Sequence, residues 1–396
     1  MERVVVVGAS LAGVRAVESL RRLGFSGSIA LVGDEVHRPY DRPPLSKQLL
    51  LGTWESEQVM FRRKQGFEPL DVDLRTESPA VGLDTDKRLV QLKDGEELPY
   101  DGLIITTGAH VRTLPGPLPS KGVHYLRTLD DALSLRADLT AGKPRVAIVG
   151  AGFIGLEVAS VARQLGLSVT VIEVAETPLA RLIGEPMGQA VVSMHEAEGV
   201  SFVTGVSVER ITGGERVEGI VLSDGRTVPA DVAVVGIGVV PCTDWLQGSA
   251  VALKDGVLCD SRCATNVPDV VAAGDVARFF NPRFGIEQRV EHWTHAVEMA
   301  GAAVNRLLKG PEVPEFAPVP YFWSDQYKVK IQFAGNVTGS DPVVVIEGSP
   351  AERKLTALYE RDGRLTGVLA WNQPSRLVRF RQAIAQGKTF EEARAM

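Results

Sequence analysis

Two stretches of the chain share one pattern: a run of β-branched residues, a glycine turn, then apolar positions at helical spacing. The first is Val4-Val5-Val6-Val7, followed by Gly8-Ala9-Ser10-Leu11-Ala12-Gly13 and a helical period from Ala12 to Leu23 that Gly24 ends. The second is Val146-Ala147-Ile148-Val149, followed by Gly150-Ala151-Gly152-Phe153-Ile154-Gly155 and a helical period from Leu156 to Leu165 that stops at Gly166. Unbroken apolar runs of this kind predict parallel strands buried on both faces. Each helix leads to a second strand, 28–32 ending at Gly33-Asp34-Glu35 and 168–172 ending at Glu173. Three more short apolar runs end in turn residues: 103–105 before Thr106-Thr107-Gly108, 231–235 before Gly236-Ile237-Gly238, and 270–273 before Gly274-Asp275. From about Glu315 the texture changes to short alternating strands at 328–333, 343–346, 354–359 and 365–369, with the turn Arg361-Asp362-Gly363-Arg364 and a final helix over 375–386.

A strand–turn–helix of this type aims backbone N–H groups and a helix N-terminus at a pyrophosphate. Two copies predict two dinucleotides on one chain. The second copy is a complete G-x-G-x-x-G, and Glu173 stands about 20 residues on, where a carboxylate accepts hydrogen bonds from ribose hydroxyls. A carboxylate there repels a 2′-phosphate. Glu176 adds to it, and the nearest arginine is Arg181, so NADH rather than NADPH is expected. In the first copy Ser10 replaces the second glycine, and Asp34, then Glu35, is the expected ribose ligand. Asp275 suits a hydroxyl-binding carboxylate or, more plainly, the cap of a following helix.

The order of these elements predicts an α/β protein with one nucleotide-binding domain inserted into another: residues 1–112 and 239–314 form the first, 113–238 the second, and 315–396 a C-terminal α+β domain. Gly142-Lys143-Pro144 punctuates the entry to the insert. The chain has 396 residues, 44% hydrophobic and 23% charged, as in soluble globular proteins. A net charge of −6 argues against nucleic-acid binding. The chain enters its first strand at Val4 with no leader-like apolar segment, and no run reaches the ~18 residues of a membrane span; a cytoplasmic protein is expected. The three cysteines, Cys242, Cys259 and Cys263, form no C-x-x-C pair and leave the first fingerprint helix without a thiol. Disulfide-reducing chemistry, an iron–sulfur cluster and a metal site are therefore not expected.

The run Arg38-Pro39-Tyr40-Asp41-Arg42-Pro43-Pro44-Leu45-Ser46-Lys47, with 272–277, Glu291-His292-Trp293 and Tyr321-Phe322-Trp323-Ser324-Asp325-Gln326, resembles the FAD-dependent NADH–ferredoxin reductases over essentially the whole chain. That family includes the putidaredoxin and rhodocoxin reductases and the reductases of ring dioxygenases; apoptosis-inducing factor is a relative. The resemblance implies two Rossmann-like domains arranged as in glutathione reductase. It implies FAD held by Gly8, Ser10, Leu11, Ala12, Gly13, Asp34, Glu35, Arg42, Lys47, Thr107, Gly108, Arg127, Gly274, Asp275, Glu291, His292, Trp293 and Trp323. NADH would be held by Gly150, Gly152, Phe153, Ile154, Gly155, Glu173, Arg181, Gly236 and Gly238. Lys47, paired with Glu157, would lie near flavin N5, and Phe153 and Trp323 would approach the ring; from spacing alone both aromatics read as core packing. Thr106 departs from the alanine usual there.

The implied partner is a small acidic iron–sulfur ferredoxin serving a cytochrome P450 or a Rieske-type oxygenase. Arg376, Arg379 and Arg381 around Leu377 and Phe380, with Lys328 and Lys330, are the expected basic docking patch. The alternatives are an NADH oxidase or peroxidase, the resembled peroxidases needing an early reactive cysteine that residues 1–111 do not contain, and a redox sensor like apoptosis-inducing factor, which would be expected to carry long targeting and insertion segments.

Overall fold

The computed structural model describes residues 1–396. The chain divides into two units, one of residues 1–41, 57–110 and 240–320, the other of residues 42–56, 111–239 and 321–396.

In the first unit Val4–Val7 are buried on both faces, as the β-branched run requires. Their strand, Arg3–Val7, is the centre of a five-stranded parallel sheet in the order Val270–Ala272, Gly102–Ile105, Arg3–Val7, Ser28–Val32, Asp73–Arg75. The helix Leu11–Arg22 begins directly after Ser10 and stops at Gly24, whose φ of +85° ends the helical path. It packs with Trp293–Lys309, a 17-residue helix. The last helix turns its apolar stripe (Met299, Ala300, Ala303, Val304, Leu307) into the core that the sheet shares.

The second unit repeats the plan. Its parallel sheet runs Val200–Val203, Ser168–Ile172, Arg145–Val149, Val232–Val235, Val123–His124. The helix Phe153–Gln164 follows the central strand and ends at Gly166, φ +77°. The same unit contains a five-stranded antiparallel sheet in the order Tyr321–Gln326, Val329–Gly335, Arg364–Trp371, Lys354–Arg361, Val343–Ser349. Asp362 and Gly363 both have positive φ, the geometry of a two-residue hairpin whose twist matches its strands. The helix Pro374–Ala385 closes this sheet with Leu377, Phe380, Ala383 and Ile384 buried.

Two readings are corrected. Asp275 does not precede a helix: it lies in a turn that leads into the strand Ala277–Asn281. Leu377 and Phe380, placed at a surface patch by the arginines around them, are 3% and 0% exposed.

Candidate functional site

The two fingerprints superpose residue for residue through their sheet registers. Gly8 donates its N–H to Val32, and Gly150 to Ile172. A side chain at Gly8 would meet the Thr106 carbonyl at 2.2 Å; at Gly150 it would meet that of Gly236 at 2.3 Å. Gly13 and Gly155 are pressed against the carbonyls of Gly8 and Gly150, at 2.0 and 2.4 Å from where a Cβ would stand. These four glycines are demanded by packing within the fold. Gly152 is different. It is the N-cap of its helix, and a Cβ there would meet nothing within 4 Å. The space beside it is open, as close approach of a pyrophosphate requires. Ser10 is the N-cap of the equivalent helix and makes no cap hydrogen bond through its side chain.

The copies diverge at the end of the second strand. Glu173 is half-buried and accepts the N–H of Ala151 in the fingerprint turn at 2.7 Å and that of Ala175 at 2.9 Å. Its carboxylate is thereby fixed at the mouth of the turn. The first unit has Gly33 in that register, and a Cβ there would stand 2.6 Å from Ala9 Cβ. Asp34 is exposed, whereas Glu35 is half-buried and accepts the Tyr40 hydroxyl.

Other groups of the first unit gather at the same sheet end. The Thr106 hydroxyl donates to the carbonyls of Val7 and Gly8, both at 3.0 Å, so the extra hydroxyl is spent inside the turn. Thr107 donates to the Cys242 carbonyl at 2.7 Å, and Gly108 has φ +68°. Gly274, φ +81°, lies over Ala12 and leaves a Cβ only 3.1 Å from it. Asp275 is half-buried, and its carbonyl accepts Arg289 at 3.2 Å; Arg289 also pairs with Glu291 at 2.5 Å. Asp275 acts on His292, the N-cap of the 17-residue helix, opposing the desolvation that lowers that imidazole to about 4. Trp293 donates from Nε1 to Asp41 at 2.7 Å.

In the second unit the sequence's lysine and glutamate meet. Lys47 Nζ donates to Glu157 Oε2 at 2.7 Å, and the two side chains are 11% and 2% exposed. Ser46 donates to the same oxygen at 2.5 Å and Ser324 to Oε1 at 2.6 Å. Burial raises the Glu157 carboxyl; Lys47 and the two hydroxyls pull it down. Ser46 and Ser324 were not singled out from sequence. A signal existed for Ser324: alternation along Tyr321–Gln326 puts Phe322, Ser324 and Gln326 on the face opposite Trp323. Trp323 is half-buried and stacked on Tyr321, with ring centroids 6.2 Å apart. Phe153 lies 4.8 Å from Phe322, and the neighbouring Ile154 is 49% exposed. Arg42 donates to the Arg127 carbonyl at 2.5 Å. Gly238, φ +100°, accepts the N–H of Arg112, and Arg181 is exposed on the short helix Ala180–Ile183.

The basic patch is less uniform than its sequence implied. Arg376 pairs with Glu347 at 2.6 Å, Lys330 with Asp325 at 3.2 Å, and Arg381 lies 5.5 Å over the Tyr321 ring. Arg379 is exposed beside Val378, itself 56% exposed.

Residues 2–300 match the family described as pyridine nucleotide-disulphide oxidoreductase, and residues 321–396 match the reductase C-terminal family. The chain belongs to the pyridine nucleotide-disulphide oxidoreductase family. It is 37% identical to the ferredoxin–NAD(+) reductase component of the anthranilate 1,2-dioxygenase system of Burkholderia cepacia, over 97% of this chain and 94% of that protein. It is 37% identical to rhodocoxin reductase of Rhodococcus erythropolis, over 96% and 89%. Among solved structures, the ferredoxin reductase for the CYP199A2 system from Rhodopseudomonas palustris aligns with a TM-score of 0.93 at 36% identity, covering 99% of this chain and 97% of that one. The covalent putidaredoxin reductase–putidaredoxin complex aligns with 0.93 at 31% identity, covering 98% and 93%. This family member carries no disulfide: all three cysteines are free, and burial raises the Cys259 thiol to about 12 and Cys263 well above its ordinary value. No helix is long and apolar enough to cross a membrane.

Proposed function

We propose that this chain is an FAD-dependent NADH–ferredoxin reductase of the cytoplasm, passing single electrons to a small acidic iron–sulfur ferredoxin that serves a P450 or Rieske-type oxygenase. FAD, when bound, supplies the conversion of a hydride into single electrons, which no side chain offers. The chain's own residues bind, orient and set charge. The Gly8–Gly13 turn and helix N-terminus, with Arg42, would hold the flavin pyrophosphate, Asp34 or Glu35 its adenosine ribose, and Asp275 the ribityl hydroxyls. Gly150–Gly155 would hold the pyrophosphate of NADH, and Glu173 its adenosine ribose. Lys47, paired with Glu157, would place a cation beside the flavin, with Phe153 and Trp323 as aromatic neighbours. We take 113–238 as the NADH-binding segment, 1–112 with 239–314 as the flavin-binding segment, and 315–396 as the C-terminal domain.

The observation that carries this reading is the doubled glycine frame on a chain matched over 97% of its length by a ferredoxin–NAD(+) reductase component. The lack of any cysteine in residues 1–111 weighs against a peroxidase. The test is direct. Purified protein is expected to be yellow, to release FAD on boiling, and to reduce an added [2Fe–2S] ferredoxin with NADH far faster than it reduces dioxygen. A protein that cannot be loaded with FAD, or that reduces only dioxygen, refutes it.

A further inference from the structure

Beyond the Lys47–Glu157 pair the second unit contains a hydrogen-bonded chain that no step above uses. Ser324, which donates to Glu157, accepts the amide nitrogen of Gln326 at 3.0 Å. The amide oxygen of Gln326 meets His195 Nε2 at 2.8 Å, and His195 Nδ1 meets the Tyr327 hydroxyl at 3.0 Å. His195, Gln326 and Ser324 are all 0% exposed. They come from two distant elements, the helix Glu185–Ala197 and the strand Tyr321–Gln326.

The chemistry of these groups fixes a direction. An amide oxygen only accepts, so His195 must carry its proton on Nε2. A neutral imidazole then has a bare Nδ1, which accepts from Tyr327. Burial holds His195 neutral, lowering it to about 4, although Glu198 pulls the other way. The amide nitrogen only donates, so the Ser324 oxygen accepts from it and its one proton goes to Glu157. Four successive bonds thus point toward one carboxylate. Flipping the Gln326 amide would reverse every bond and turn the Ser324 proton away from Glu157; that arrangement fits only a protonated Glu157. The charged groups around the far end are Glu198, Arg353, which pairs with Glu198 at 2.5 Å, and Arg163. Around the near end the charged group is Lys47, with Ser46 beside it.

We propose that His195 is a positioning residue for the Lys47–Glu157 pair: through Gln326 and Ser324 it locks the hydrogen-bond direction in which Glu157 is the accepting carboxylate. The part of the proposal that concerns the flavin rests on the placement of Lys47 given above; the direction of the chain does not.

The test uses the full-length, FAD-loaded protein with carbon-13-labelled glutamate, the Glu157 carboxyl resonance being assigned with Glu157→Gln. His195→Phe keeps a ring against Phe202 and Tyr327 but removes the Nε2 donor. It is expected to raise the apparent pKa of Glu157 by about one unit or more, because a carboxylate that loses an oriented donor is more easily protonated. His195→Gln, whose amide can donate to Gln326, should restore most of the shift, and Tyr327→Phe, at a half-buried site, should give part of it. The pH dependence of the flavin midpoint potential should move with Glu157. A folded His195→Phe with native Glu157 titration overturns the proposal, as does a His195→Gln variant shifted as far as His195→Phe. Should His195→Phe fail to fold, an unshifted Glu157 in Tyr327→Phe overturns it instead. Lys47→Met is the control on the other reading: a native midpoint potential there overturns the placement of Lys47 beside the flavin, while the Glu157 titration still decides the role of His195.

Discussion

Replacing Lys47 by methionine leaves Glu157, 2% exposed, with two hydroxyl donors and no counter-charge. Removing one member of a buried pair costs about 3–5 kcal/mol. The carboxylate has one escape, which is to take a proton. Starting from an ordinary value near 4.3, neutralising a carboxyl at pH 7 costs about 3.7 kcal/mol. The loss at pH 7 is therefore capped near 4 kcal/mol. The sign of its pH dependence follows from the direction of the shift. A carboxyl raised in the folded state contributes most below its unfolded value and loses that contribution as pH rises through its folded value. The variant should suffer most at pH 7 and recover about 1.4 kcal/mol for each unit the pH falls toward 4.3, leaving a loss of about 1 kcal/mol at pH 5. The double variant Lys47→Met/Glu157→Leu should regain most of the stability at both pH values, since an apolar pair of similar volume needs no charge compensation. Because the chain has two units, denaturant titration is best joined to hydrogen exchange of the Phe153–Gln164 amides, which reports the second unit alone. A loss under 1 kcal/mol at pH 7, or an equal loss at pH 5 and pH 7, refutes the view of Glu157 as a buried, compensated carboxylate.

Three further outcomes are expected. Gly152→Val, whose Cβ finds open space but which loses a favourable N-cap residue, should cost no more than about 1 kcal/mol of stability yet weaken NADH binding at least tenfold, whereas Gly155→Val should destabilise the fold outright; calorimetric titration with NADH and thermal melts separate the two. Glu173→Arg should narrow or reverse the NADH preference in kcat/KM, a lost repulsion and a gained ion pair each being worth about 1–3 kcal/mol. His195 and His295, 0% and 1% exposed, are lowered by burial to about 4 and about 3, so the unfolded chain binds their protons first; each should cost about 1.3 kcal/mol of stability between pH 7.5 and pH 5.5, and His295→Leu should flatten the acid side of the first unit's stability profile.

The parallel strands and the glycine turns were legible because close packing leaves little choice of residue there: a β-branched run is buried on both faces, and Gly8, Gly13, Gly150 and Gly155 have no room for a side chain. The Lys47–Glu157 pair was legible only through resemblance, since 110 positions separate the two residues. Ser46, Ser324, Gln326 and His195 were not singled out. Alternation along Tyr321–Gln326 sets Ser324 and Gln326 on one face, but no periodicity points a polar residue at a partner in a distant segment. Asp275 was set before a helix because Val276-Ala277 continues an apolar run without alternation; the structure makes it a turn between strands. For Leu377 and Phe380 the signal was present. Their spacing with Ala383 and Ile384 is a buried helical stripe, and the arginines between them drew attention to the wrong face.

The chain leaves one unit for the other after Asp41, Ser56, His110, Val239 and Pro320. Biosynthesis feels this interleaving. The strand Gly102–Ile105 must wait for its neighbour Val270–Ala272, made about 165 residues later, which at 5–20 residues per second is a delay of roughly 10–30 s. Lys47 emerges long before the strand that brings Ser324 to Glu157. Neither unit can close while most of the message is still being read. A nascent chain of this design therefore exposes two unfinished parallel sheets at once, and the ribosome-bound stage is where its strand edges are most open to wrong pairing.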